Sequence, residues 1–213
     1  MITKVLPFLT LAGLGTAQYV SEPFAIRITG KTNSSIDGYV GSCHAGAAIE
    51  GLCFEAPGDG VPGSYNEYYL NTTSANGTQG LLIWELPLTT ENGTTDYVPS
   101  AMTLGVNYGS NVAVPLFYPG YSYSPGTTYV SVSDNGTLFL PGGVDDSNNN
   151  ATYPSPVQYL GDLTNWNLCY QFTGGYYYYS IAWVFTQPAQ NPSCQPVQLM
   201  QEPIAATESV RRR

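Results

Sequence analysis

Apolar and polar positions alternate along most of this chain in the two-residue rhythm of β-strands. In Phe24-Ala25-Ile26-Arg27-Ile28-Thr29 the side chains of Phe24, Ile26 and Ile28 share one face, as a half-buried strand requires. Gly80–Leu86 is apolar on both faces apart from Glu85, the pattern of a central strand. Met102–Tyr108, Val112–Tyr118 and Tyr129–Ser133 follow, with Pro115 predicting an edge or bulged position. Asn135-Gly136 predicts a hairpin into Leu138-Phe139-Leu140, and Trp166–Tyr170, Tyr176–Phe185 and Val197–Met200 complete the strands. Ala45–Leu52 alone has a helical look, but it is short and carries Gly46 and Gly51, so it predicts one turn at most. Loops are expected over 57–66, 89–100 and 141–156. Strands spaced about ten residues apart between Gly, Pro and Asn clusters predict an all-β chain, a single-domain antiparallel β-sandwich or closed β-barrel with long loops.

Tyr176–Phe185 is the longest run that reads as strand. Alternation places Tyr177, Tyr179, Ile181, Trp183 and Phe185 on one face and Tyr176, Tyr178, Ser180, Ala182 and Val184 on the other. The first face is bulkier and is the expected core.

The chain opens with Lys4, an apolar stretch from Val5 to Leu14 too short to span a bilayer, and the small residues Gly15-Thr16-Ala17. That order predicts a signal peptide over 1–17, a secreted domain over 18–203, a flexible C-terminal tail over 204–213 and no membrane anchor. Six N-x-[ST] sequons, at Asn33, Asn71, Asn76, Asn92, Asn135 and Asn150, predict a glycosylated surface of loops and turns.

Only 10% of residues are charged and 13% are aromatic, with 18 Tyr, so the surface is built from uncharged hydrogen-bonding groups. Between Gln18 and Val210 there are 15 acids against Arg27 and Lys31, a balance of −13. Phosphate backbones and anionic lipid are poor partners for such a surface, which excludes nucleic acid. The four cysteines, Cys43, Cys53, Cys169 and Cys194, allow three connectivities in an oxidising compartment. Cys43–Cys53 with Cys169–Cys194 is the expected pairing, because each pair flanks a short, turn-rich excursion. A zinc site at Cys43-His44 with Cys53 matches no finger or ribbon spacing, so no metal and no cofactor is expected.

The segments Cys43–Cys53 (CHAGAAIEGLC), Gly80–Leu86 with Trp84, Val114-Pro115-Leu116-Phe117-Tyr118, Trp166 to Cys169, Ala182-Trp183-Val184 and Asn191-Pro192-Ser193-Cys194-Gln195 carry a resemblance. With them the chain resembles, from about residue 24 to 200, a family of small secreted proteins of filamentous fungi known only as a domain of unknown function. The resemblance implies a secreted, disulfide-bonded β domain and transfers no catalytic residues.

Known extracellular chemistries find few residues here. His44 is the single histidine, there is no G-x-S-x-G elbow, and the H-E-x-x-H and aspartic-protease signatures are absent. A glycosidase needs two carboxylates about 5 to 10 Å apart. Glu50, Glu55, Glu67, Glu85 and Asp162 are available, and Glu85, in the most apolar strand, is the weak catalytic candidate. Asp145-Asp146 lacks the order of acids and the glycine turn of a calcium loop.

The positive pointer is aromatic. Ring faces stack on sugar rings, and Tyr, Asn and Gly supply hydrogen bonds without charge. Tyr176 and Tyr178, and Tyr118, Tyr121 and Tyr123, are the candidate ligand platforms. The expected function is a secreted non-catalytic glycoprotein acting at the cell wall or extracellularly on polysaccharide, other glycan or protein. An acidic glycoside hydrolase, or an effector binding a host protein, are the alternatives.

Overall fold

The computed structural model describes residues 18–56, 66–106, 108–120, 127–152, 156 and 158–204. Among these residues fifteen strands run in order: β1 (Tyr19–Val20), β2 (Phe24–Gly30), β3 (Asp37–Gly46), β4 (Ile49–Glu55), β5 (Tyr68–Thr72), β6 (Gln79–Thr89), β7 (Thr95–Val106), β8 (Val112–Pro119), β9 (Tyr129–Val132), β10 (Leu138–Phe139), β11 (Val144–Asp145), β12 (Gln158–Tyr159), β13 (Trp166–Thr173), β14 (Tyr176–Val184) and β15 (Gln195–Pro203). No α-helix occurs among the described residues.

Nine strands close a barrel in the order β5-β2-β15-β13-β14-β4-β8-β7-β6, with β6 returning to β5; β3 bridges β2 and β4, and β11 with β12 forms a separate small hairpin. Every join is antiparallel. An odd ring cannot alternate direction all the way round, so at least one junction must be a steep crossing instead of a long ladder. The single-residue contacts Phe24↔Tyr68 and Ser180↔Cys53 meet that need. β8 changes partner partway: Val112 and Ala113 face β14, whereas Leu116 and Phe117 face β4. Pro115 sits at this change-over, where its missing N–H does least harm to a ladder.

Inside, the barrel is filled with side chains. Trp84, Trp166, Tyr68, Phe24 and Phe117 are all fully buried. Trp166 and Trp183 meet edge to face at 4.9 Å, Tyr68 stacks on Phe117 at 5.9 Å, and Trp166 Nε1 donates to Leu138 O at 3.0 Å. The interior is thus a packed aromatic core.

The nine strands read from the sequence are present, and among the described residues β1, β3, β4, β5, β11 and β12 join them. The stretch with a helical look is the end of β3, a turn with Ala48 at φ 58°, and the start of β4. The loop expected over 89–100 is instead the end of β6, a short turn at 90–94 and the first half of β7. Asp96, Pro99 and the threonines there read as loop because this part of the β6–β7 hairpin is largely exposed and lacks an apolar face. β3 hides behind its glycines: a Cβ on Gly38 would lie 2.2 Å from the Glu55 carbonyl oxygen, so the close approach of β4 excludes the branched residues that would mark a strand.

Candidate functional site

The β13–β14 hairpin gathers the exposed rings. Its register pairs Trp166 with Trp183, Leu168 with Ile181, Tyr170 with Tyr179 and Phe172 with Tyr177, and the chain turns through Gly174 (φ 65°) and Gly175. All eight of these paired side chains belong to one face. At the base of the hairpin they enter the barrel core. Past Leu168 the β15 ladder has ended, and past Ser180 the β4 contact has ended, so the same face continues into solvent.

There Tyr170 is 49% exposed, Phe172 54%, Tyr177 63% and Tyr179 59%. Tyr170 and Tyr177 stack at 5.8 Å and 26°; Tyr170 lies 5.2 Å from Tyr179, and Phe172 meets Tyr177 edge-on at 5.3 Å. Leaving these rings half out of water forgoes roughly 1 kcal/mol of burial each. From residue 163 to residue 201 the chain carries no charged side chain. The front of the hairpin is therefore an uncharged aromatic patch carrying three tyrosine hydroxyls.

The back of the same hairpin is fixed. Gln171 Nε2 donates to Ser180 Oγ at 3.0 Å and to Ile181 O at 3.1 Å, and Thr173 Oγ1 and Ser180 Oγ are 2.8 Å apart, all buried. A Cβ on Gly51 would lie 2.6 Å from the Thr173 methyl, and one on Gly174 would lie 2.0 Å from Ala45 O, so the hairpin rests directly on β3 and β4. Disulfides Cys43–Cys53 and Cys169–Cys194 brace both sides. Beyond β15, the open edge of β13 is satisfied by side chains: Tyr170 N donates to Ser193 Oγ at 2.9 Å, and Asn191 Nδ2 and Ser193 Oγ each donate to Tyr170 O at 3.1 Å. This gives the Asn191-Pro192-Ser193-Cys194 motif a physical role as the clamp on Tyr170.

The sequence-predicted platform divides. Tyr176 is exposed, while Tyr178 is half-buried, with its hydroxyl donating to His44 O at 3.1 Å. Their rings are 6.1 Å apart, and Tyr176 also lies 5.4 Å from the His44 ring. Tyr177 and Tyr179, expected in the core with Ile181 and Trp183, are the exposed rings instead, and Phe185 is 44% exposed. Alternation placed them on the correct face; the face leaves the barrel before it reaches them. Tyr118 is exposed at the end of β8, opposite Ala101, away from the β14 junction. Tyr121 and Tyr123 lie outside the described residues, as do the expected signal peptide 1–17 and residues 205–213 of the tail.

Glu85 and Glu50 do not form a glycosidase pair, whereas Glu67 and Glu85 each lie one residue beyond the Tyr68↔Trp84 pair of β5 and β6. Glu85 alternates with Leu81 and Ile83 on the outer side of β6, opposite Pro99. Glu50 alternates with Leu52 and Phe54 on the core side of β4, and β8 and β7 stand between the two strands. Glu50 Oε1 lies 3.6 Å from His44 Nδ1; burial pushes the Glu50 carboxyl up, and the nearby imidazole opposes this. Glu55 accepts a hydrogen bond from Asn66 Nδ2, Glu67 is buried, and Asp162 is exposed. Among the described residues no three His, Cys, Asp or Glu side chains converge on a point that could hold a metal ion.

Of the sequons, Asn76, Asn92, Asn135 and Asn150 are exposed in turns or loops, and Asn33 is half-buried in the β2–β3 turn. Asn71 differs. It is fully buried in β5, and its Nδ2 donates to Gln18 Oε1 at 3.3 Å, so a glycan on that nitrogen does not fit this structure. The sequon rule reads three residues and is blind to the strand they fall in.

No curated protein and no solved structure matches the chain. A family profile described as Domain of unknown function (DUF7907) matches residues 21–203, from just ahead of β2 to the last residue of β15, and the chain belongs to that family.

Proposed function

We propose that this is a secreted, non-catalytic fungal glycoprotein that binds neutral carbohydrate at the cell wall or outside the cell through the front of the β13–β14 hairpin. The observation that carries the reading is the uncharged group of Tyr170, Phe172, Tyr177 and Tyr179, held at solvent by a hairpin whose back is fully anchored. Contiguous exposed apolar surface on a monomer marks an interaction site. Ring faces suit the C–H faces of sugars, and the hydroxyls of Tyr170, Tyr177 and Tyr179 provide hydrogen bonds at their rims. Two disulfides, the leader-like residues 1–17 and the exposed sequons support export.

A panel of insoluble chitin, cellulose, β-glucan and mannan, with soluble reducing ends assayed in parallel, tests this. The expected result is retention on at least one neutral polysaccharide without release of sugar. Retention on none overturns the carbohydrate reading, and sugar release overturns the non-catalytic one.

A further inference from the structure

The N-terminal edge of the barrel carries a second, independent feature. Apart from Gln18 itself, the described chain begins directly in paired structure: Tyr19 faces Thr72 and Val20 faces Asn71 across β1 and β5. Ser21 N donates to Leu70 O at 2.9 Å, Leu70 N donates back to Ser21 Oγ at 2.9 Å, and Thr72 Oγ1 donates to Tyr19 O at 3.4 Å. Gln18, the residue that cleavage after Gly15-Thr16-Ala17 would leave first, has its side-chain carbonyl on the fully buried Asn71 amide at 3.3 Å.

We propose that Gln18 of the exported chain is converted to pyroglutamate, and that the lactam carbonyl remains seated on Asn71. The proposal rests on the leader processing in the reading above. Once the α-amine is freed, its nitrogen attacks Cδ of the same residue. The N–Cδ bond forms, the Cδ–Nε2 bond breaks, a proton passes from the amine to the departing nitrogen, and ammonia leaves. No oxidant or second reactant is needed. The Cδ carbonyl survives as an amide acceptor for Asn71 Nδ2, while the positive charge of the terminus is lost. Gln18 is exposed, so its amine and side-chain amide are open to this reaction, and ring closure removes side-chain torsional freedom that docking would otherwise have to restrict. Cyclisation therefore favours the docked β1, and the docked β1 keeps Asn71 covered.

The test is the intact mass of the protein secreted from a eukaryotic host and enzymatically deglycosylated, together with labelling of free α-amines. The expected product starts at residue 18, is lighter by one ammonia than the chain with free Gln18, and does not label. A chain starting at Gln18 with a reactive amine overturns the cyclisation and leaves the processing intact; a start anywhere else overturns both. Gln18→Ala, which cannot cyclise, should melt a few degrees below the parent. An unchanged melting temperature, or a glycan on Asn71, overturns the seating on Asn71.

Discussion

In the half of the β13–β14 hairpin nearer the barrel, Trp166, Leu168, Ile181 and Trp183 are core; in the half nearer the turn, Tyr170, Phe172, Tyr177 and Tyr179 point from the same face into solvent. The alternation is unbroken through both halves. What changes is the company: β15 leaves β13 after Leu168, and β4 meets β14 at Ser180. Alternation determines which side chains share a face, and the reach of neighbouring strands determines whether that face is buried. The outer half keeps its shape through its back, where Gln171, Thr173 and Ser180 make the buried hydrogen bonds.

Substitutions that treat the halves differently should separate them. The largest effect is expected at Trp183→Ala, which removes one partner of the edge-to-face Trp166 contact and should cost about 3–5 kcal/mol in chemical denaturation; a loss below about 1 kcal/mol would break the division between the halves. Replacing Cys169 and Cys194 with Ser opens a bridge across 25 residues of sequence and should cost about 3 kcal/mol, again read by denaturation. It should also loosen the Ser193 clamp and raise amide exchange at Tyr170. Tyr178→Phe deletes the hydrogen bond to His44 O and should cost about 1 kcal/mol, since a backbone acceptor near the surface regains water.

The smallest effect concerns pH. The Glu50 carboxyl is raised in the fold, chiefly by burial, so the unfolded chain loses this proton first as pH rises. Its contribution to stability is full below the ordinary glutamate value and declines until pH passes the raised one. Glu50→Gln should flatten that part of the stability profile, measured as melting temperature against pH. A parent profile that rises across this window and becomes flat in Glu50→Gln would show the opposite sign.

Much of the fold was legible. Phe24, Ile26 and Ile28 are buried as alternation requires, β6 is buried on both faces through Ile83, and both cysteine pairs are the local ones. Strands β3 and β5 and much of β4 escaped notice because Gly38, Gly41, Gly51 and the short Tyr68–Thr72 lack a branched apolar rhythm. The site was half legible. The four-tyrosine run lies on the hairpin that carries the exposed rings, but Tyr170 and Phe172, on the partner strand, come into view only through the register. The available clue was the absence of charge from 163 to 201 in an acidic chain, which leaves the front of the hairpin uncharged. Asn191 and Ser193 as clamps on Tyr170 could not be inferred, because nothing local predicts a loop sealing a strand edge 21 to 23 residues away.

The central claim is that the outer half of the hairpin serves recognition and contributes little to folding. It is tested most directly by comparing Tyr177→Ala/Tyr179→Ala with the parent for affinity toward the retained polysaccharide and for melting temperature, in one preparation. The account predicts a melting temperature within a few degrees of the parent and binding weakened roughly a hundredfold, about tenfold per ring at 1.4 kcal/mol each. Unchanged affinity in a folded double variant, or loss of the folded state itself, would contradict it.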